Sequence, residues 1–158
     1  MYYAFRKTAA DGASALQRAA AALTRERLVS DYCHGGIVIG DRLYHANTKH
    51  GLHSTSFDPE KWDLFYIGDS FDKFALILFS QLKGAKYDWF SLLAFAIPYT
   101  FTDSKRLYCF EWMALASGLK FEGRVTPEML LKHALTKVTD TELPHKDVPT
   151  PHIAGVPR

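Results

Sequence analysis

Cysteine is nearly missing from this chain: Cys33 and Cys109 are the two thiols in 158 residues. Two thiols cannot build the disulfide framework of a small secreted domain, and they suit a reducing compartment or one reactive thiol better. An excess of one charge is missing as well. Nineteen basic and 17 acidic residues leave a formal +2, and no basic cluster supplies a nucleic-acid footprint. Long hydrophobic runs are also lacking. The most apolar stretch, Phe71 to Phe101, is broken by Gln81-Leu-Lys-Gly-Ala-Lys-Tyr-Asp88. Neither remaining run reaches the roughly 18 residues needed to cross a bilayer. No secretion signal is visible, because Asp11 follows Arg6 and Lys7, and Arg18 and Arg25 interrupt the alanine-rich part. The expectation is therefore no nucleic-acid partner, no integral membrane segment and a cytoplasmic location. Internal repeats, low-complexity tracts and the CxxC and HExxH patterns of zinc sites are absent too.

What is present fits one globular domain, since 47% of residues are hydrophobic and 14% aromatic. Residues 1–140 are expected to form that domain. Residues 141–158, rich in proline, are expected to form a tail. Tyr2-Tyr-Ala-Phe5 reads as a short strand and Asp11 to Leu28 as an amphipathic helix. Asp31 to Gly40 reads as a strand entered through glycines. A tight Gly40-Asp41 turn joins it to a second strand, Arg42 to Ala46. Asn47 to Phe57 reads as loop with a little strand, and Lys61 to Ile67 as a further strand. Helices are expected over Asp72 to Leu82 and over Trp89 to Ile97, with Asp88 a candidate N-cap. Thr126-Pro-Glu-Met-Leu-Leu-Lys-His-Ala-Leu135 opens with an N-cap Thr and Pro at the first helical position. The order predicts an α+β fold, a small antiparallel sheet packed against helices.

The most informative stretch is Arg106-Leu-Tyr-Cys-Phe-Glu-Trp-Met-Ala-Leu-Ala-Ser-Gly118. Apolar residues at Leu107, Phe110, Met113, Ala114 and Leu115 follow a helical period, and Gly118 is a stop. Thr102, Asp103 and Ser104 supply capping side chains upstream. Cys109 then falls in the first turn of a late helix, where free backbone N–H groups and the positive dipole end favour thiolate. A small buried apolar cysteine is the plainer reading of the same stretch.

His34 and His45 lie on the two strands of the predicted hairpin, near one end. A thiol enzyme needs such a pair: one imidazole to take the cysteine proton and a second polar group to orient it. Zinc is a rival use of Cys33, His34, His45, His50 and His53, although Cys33 and His34 would point to opposite sides of a strand. Glu111, about 200° around the helix from Cys109, suits a hydrogen-bonded structural carboxylate better than a thiol partner. Tyr87-Asp88-Trp89 lines a cleft or caps a helix, and the aromatics Phe90, Phe95, Tyr99 and Phe101 read as core.

The chain order His34, His45, Cys109 resembles the circularly permuted papain-like hydrolases of the NlpC type, a superfamily that includes the lecithin:retinol acyltransferase-like enzymes. The matching pieces are Tyr32-Cys-His-Gly-Gly-Ile-Val-Ile39, Leu43-Tyr-His-Ala-Asn47 with Gly51, Lys86-Tyr-Asp-Trp89, Leu107-Tyr-Cys-Phe-Glu-Trp112 and Val125-Thr-Pro-Glu-Met-Leu130. They span about residues 28 to 135. Phe110 stands where the family often has Ser, and Gly36 where a Glu often follows the histidine. The resemblance implies a permuted papain-like fold and a cysteine hydrolase that cleaves an amide bond, a peptidoglycan peptide for instance. It assigns Cys109 as nucleophile, His34 as base and His45 as its orienting partner, with Asn47 in reserve. The Cys109 backbone N–H would serve as oxyanion donor. No metal or organic cofactor is implied. Relatives occur in bacteria and their phages, so delivery by a non-classical or phage route is the alternative to the cytoplasm. A thioesterase or acyltransferase acting on lipids, suggested by the aromatic stretch to Phe101, and a non-catalytic binding module of the same fold are the competing functions.

Overall fold

Alternating burial along the early strands shows how the molecule is layered. In β1 (Tyr2–Arg6), Tyr3 and Phe5 face one way and Ala4 the other. A computed structural model describes residues 1–9, 13–28, 30–88, 106–121 and 123–140. The elements after β1 are α1 (Ala15–Leu28), β2 (His34–Ile39), β3 (Arg42–Asn47) and β4 (Gly51–Ser56). A 3₁₀ turn (Pro59–Lys61) precedes β5 (Asp63–Tyr66) and α2 (Asp72–Leu82). Then come β6 (Lys86–Tyr87), β7 (Arg106–Leu107), α3 (Cys109–Ala116) and α4 (Pro127–Asp140). The protein is α+β, with a five-stranded antiparallel sheet in the order β4-β3-β2-β1-β5.

The predicted hairpin forms with a two-residue loop: Ile39 pairs with Arg42, and Gly40 takes φ +60. The N-terminal strand lies in the middle of the sheet, between β2 and β5. Residues 47–57 hold more strand than their composition suggests. Gly51–Ser56 is a full edge strand paired along β3, from Asn47 with Gly51 to Arg42 with Ser56. Polar Ser54, Thr55 and Ser56 hide the alternation because an edge strand keeps its outer end wet.

The helix layer covers one sheet face. Its core joins Tyr3, Phe5, Ile37, Tyr44 and Ala46 from the strands to Phe110, Trp112 and Met113 from α3 and Leu130 from α4. α3 packs on β2 and β3 and touches α2 and α4. The Trp112 indole N–H donates to the Tyr44 carbonyl at 2.9 Å, fixing α3 on β3. Thr126 caps α4 through Met129 N–H, and Pro127 is its first residue, as expected. The opposite face carries a smaller cluster, Ala4, Val38 and Leu43, with Tyr2, Phe57, Trp62 and Leu64 against it.

Leu107, read as helical from its spacing, belongs instead to β7, which runs parallel to β6 with Tyr87 opposite Leu107. The expected helix over Trp89 to Ile97, the capping residues Thr102, Asp103 and Ser104, and the tail over 141–158 lie outside the described residues. Among the described residues no helix is long and apolar enough to cross a membrane.

Candidate active site

Two adjacent glycines at the start of β2 divide the site between the sheet faces. A Cβ on Gly35 would lie 2.5 Å from Met113 Sδ and 2.9 Å from Phe110 Cε1, so only a bare Cα lets α3 approach this closely. A Cβ on Gly36 would look the other way, 2.9 Å from the Cβ of His45. Strand alternation puts His34 on the Gly36 side. There the His34 ring lies 5.2 Å from that of His45 and 5.7 Å from the indole of Trp62. His34 Nε2 and His45 Nδ1 are 2.8 Å apart, a hydrogen bond that leaves His34 Nδ1 as its other ring nitrogen.

A file of imidazoles continues outward. His53 stacks 4.4 Å from His45, and His50 lies 5.2 Å from His53. His53 Nδ1 donates to the Gly51 carbonyl at 2.9 Å, so its Nε2 is the acceptor for the Asn47 side-chain amide at 3.2 Å. Asn47, the reserve candidate for the third position, is therefore two histidines removed from His34, through His53 and His45. Its Oδ1 accepts from the Lys49 and His50 backbone N–H groups and shapes the β3–β4 turn.

Cys109 is the first residue of α3 and is 3% exposed. Its thiol is approached by the backbone N–H groups of Gly35 and Phe110 and by the Tyr87 hydroxyl. The structure thus brings His34 and His45 into direct contact and sets Cys109 against the next residue along β2. Among the described residues no hydrogen bond joins the thiol to an imidazole.

The electrostatics differ from those expected at a helix start. Burial pushes the Cys109 thiol up to about 12, outweighing the three donors that pull it down. His34 is held well below the ordinary 6.5, first by loss of water around its ring, then by His45 and Arg6. Burial, His53 and Arg6 lower His45 to about 3. At neutral pH the thiol and both imidazoles therefore rest neutral, not as an ion pair.

Tyr108, not an upstream Ser, Thr or Asp, is the N-cap of α3, and its side chain makes no capping bond. The capping contact comes from within the helix, where Glu111 accepts the Tyr108 backbone N–H, half of a capping box. Burial, with Asp88 nearby, pushes Glu111 up to about 7. This is the structural carboxylate its spacing suggested. The thiol contact of Tyr87 is not legible from composition. The parallel pairing of β6 with β7 creates it, by setting Tyr87 beside the residue two before Cys109. Among the described residues no three His, Cys, Asp or Glu side chains are arranged to hold a metal ion.

No family model matches the chain, and no curated protein matches it at a significant level.

Proposed function

We propose that the protein is a cysteine hydrolase that cleaves an amide bond through an acyl-enzyme on Cys109. The observation that carries this reading is the 2.8 Å His34 Nε2–His45 Nδ1 bond, with the helix-start Cys109 set against Gly35, the residue after His34 on β2. If Nε2 carries the proton that bonds His45, Nδ1 of His34 is the free lone pair a general base needs. The chain order of these residues, which resembles the permuted papain-like hydrolases, supports the same assignment. A cell-wall peptide is the substrate class that the resemblance favours.

The step follows from the resting charges. As Cys109 Sγ attacks the carbonyl carbon, its proton passes to His34 Nδ1, and His45 holds the ring through Nε2. The C–N bond then breaks and His34 returns the proton to the leaving amine. Water, deprotonated by the same imidazole, attacks the thioester, releases the acid and restores the thiol. Backbone N–H groups at the start of α3 stabilise the oxyanion. Thiolate forms only as attack proceeds, because a thiol near 12 does not ionise at rest.

One observation favours a second reading. A 3%-exposed, neutral thiol is what a non-catalytic module of this fold would also contain. Intact-mass analysis separates the two. With an activated acyl ester or amide as probe, the hydrolase gives a mass adduct on Cys109 that is lost in Cys109→Ala. It forms ~10²–10⁴-fold more slowly in His34→Ala. If no adduct forms and iodoacetamide labels Cys109 only on unfolding, the module reading stands.

A further inference from the structure

The imidazole pair is the inner part of a longer polar file. His45 lies opposite His53 in the β3–β4 pairing, ring against ring at 4.4 Å. The Asn47 side-chain amide reaches the far nitrogen of His53 at 3.2 Å. We infer that Asn47 is a positioning residue for the His34–His45 pair: it holds His53 in one neutral tautomer and so keeps an uncharged ring against His45.

Counting protons fixes the tautomer. Asn47 Oδ1 accepts the backbone N–H groups of Lys49 and His50, at 3.0 and 2.8 Å. The end of the amide that faces His53 is therefore the NH2 group, which can only donate. His53 Nε2 must accept, so it carries no proton. On the other side of the ring, His53 Nδ1 faces the Gly51 carbonyl at 2.9 Å, a group that can only accept. Nδ1 carries the proton. Two independent bonds select the same tautomer, and a second proton on Nε2 would point at the amide N–H and break one of them.

His45 depends on such a neighbour for its orientation. Its Nδ1 is engaged by His34, and its buried Nε2 has no hydrogen-bond partner among the described residues. What else meets the ring is aromatic: His53 at 4.4 Å and Trp62 at 6.2 Å. Charge is the second reason. The groups that act most strongly on His34 and His45 are Arg6 from β1, His53 from β4, His50 from the β3–β4 turn, and each other. All are basic. A positive charge on His53 would add to that of Arg6 and oppose the proton that His34 must accept from the thiol. The link to turnover rests on the acyl-transfer reading above, whereas the tautomer itself does not.

The test exchanges the amide for its isostere. Asn47→Asp keeps the oxygen that accepts from Lys49 and His50 and replaces the donor facing His53 with an acceptor. NMR of the histidine ring nitrogens at pH 7 reads the protonation of each ring in the resting protein. A proton on His53 Nδ1 alone is expected in wild type, and one on both nitrogens in Asn47→Asp, with the His45 ring signals shifting. Acylation of Cys109 at pH 7 should slow about 3–10-fold in Asn47→Asp, because the new carboxylate offsets only part of the added charge. The ratio to wild type should climb back as pH rises through the range in which His53 loses its second proton. With His53→Phe in place, a ring that takes no charge, adding Asn47→Asp should change the rate less than ~2-fold. A purely structural Asn47 would move the melting temperature and leave the pH profile alone. A proton on His53 Nε2 in wild type, or a singly protonated His53 in a folded Asn47→Asp protein, would overturn the inference. So would an undiminished rate beside a doubly protonated His53. If wild type forms no adduct at all, the acyl-transfer reading fails with the link to turnover, and the ring protonation still decides whether Asn47 sets the charge beside His45.

Discussion

Two tryptophans mark the two faces of the sheet. Trp112, on the helix side, is 1% exposed, and its N–H is spent on the Tyr44 carbonyl. Trp62, on the other side, is partly exposed and has His34, His45 and Arg6 around its ring. The helix face buries large apolar side chains in one continuous core, so it fixes the position of α3 and of Cys109. Among the described residues the histidine face buries only three apolar residues, and the space they leave is filled by the imidazole pair and Trp62. One face holds the helix layer, and the other holds the imidazole pair. The thiol lies by Gly35 on the helix face, and the imidazole pair lies by Gly36 on the other.

Truncating the tryptophans is the strongest way to test this division. Trp112→Ala should cost about 3–5 kcal/mol, a large share of the roughly 5–15 kcal/mol that holds a domain together. Trp62→Ala should cost less than half as much, because less of its surface is buried, while sharply reducing adduct formation on Cys109. Urea midpoints of the two variants decide the matter. Equal losses would show that the histidine face is also structural core.

The faces should also respond to acid with opposite sign. His34 and His45 stay neutral in the fold while an unfolded chain protonates them near 6.5. Below 6.5 the unfolded state therefore binds more protons. The contribution of this pair is complete above that pH and is lost on acidification, toward about 3 for His45. Glu111, on the helix face, protonates near 7 in the fold and near 4.5 when unfolded, so between those values acidification stabilises the protein. Each group contributes a slope of at most about 1.4 kcal/mol per pH unit. Two histidines against one glutamate leave a net loss of stability as pH falls below 6.5. Glu111→Gln should steepen that loss and His45→Gln should flatten it, as read from urea midpoints against pH. An unchanged slope in both variants would remove the assignment.

Adding one methyl at each dividing glycine sharpens the comparison further. Gly35→Ala drives a Cβ into Met113 and Phe110, both fully buried, and should cost about 1–3 kcal/mol. Gly36→Ala presses on Leu43 and on the Cβ of His45. It should displace the ring that holds His34 and slow acylation more than it lowers the melting temperature. If Gly36→Ala acylates at the wild-type rate, His45 does not need its present position.

Much of this layout was legible in the sequence where local chemistry is decisive. The Gly40-Asp41 turn fixed the hairpin register that puts His34 and His45 together, and Thr126-Pro127 fixed the start of α4. The residues that misled do their work at long range. Leu107 matches a helical period but pairs as a strand with residues twenty positions earlier, a partner that no local pattern reveals. Ser54, Thr55 and Ser56 look like loop because the strand they form lies at the sheet edge. Cys109 satisfies every local rule for a thiolate, yet its ionisation is governed by how much water α3 excludes, a property of the whole core.

The smallest expected effect is the most discriminating. Tyr87→Phe removes one of three donors to the Cys109 thiol and leaves the two backbone N–H groups in place. A single hydrogen bond of this kind contributes about 0.5–1.5 kcal/mol. For a merely structural cysteine that amount appears in stability alone, and Cys109 remains as inaccessible to acyl probes as before. For a nucleophile the donor matters most once sulfur carries charge, because a hydroxyl bonds thiolate more strongly than thiol. The thiol would then be raised further, and acylation of Cys109 would slow about 3–10-fold while the melting temperature hardly moves. Measured side by side on one variant, the two quantities tell whether the hydroxyl supports the helix face as packing or Cys109 as chemistry.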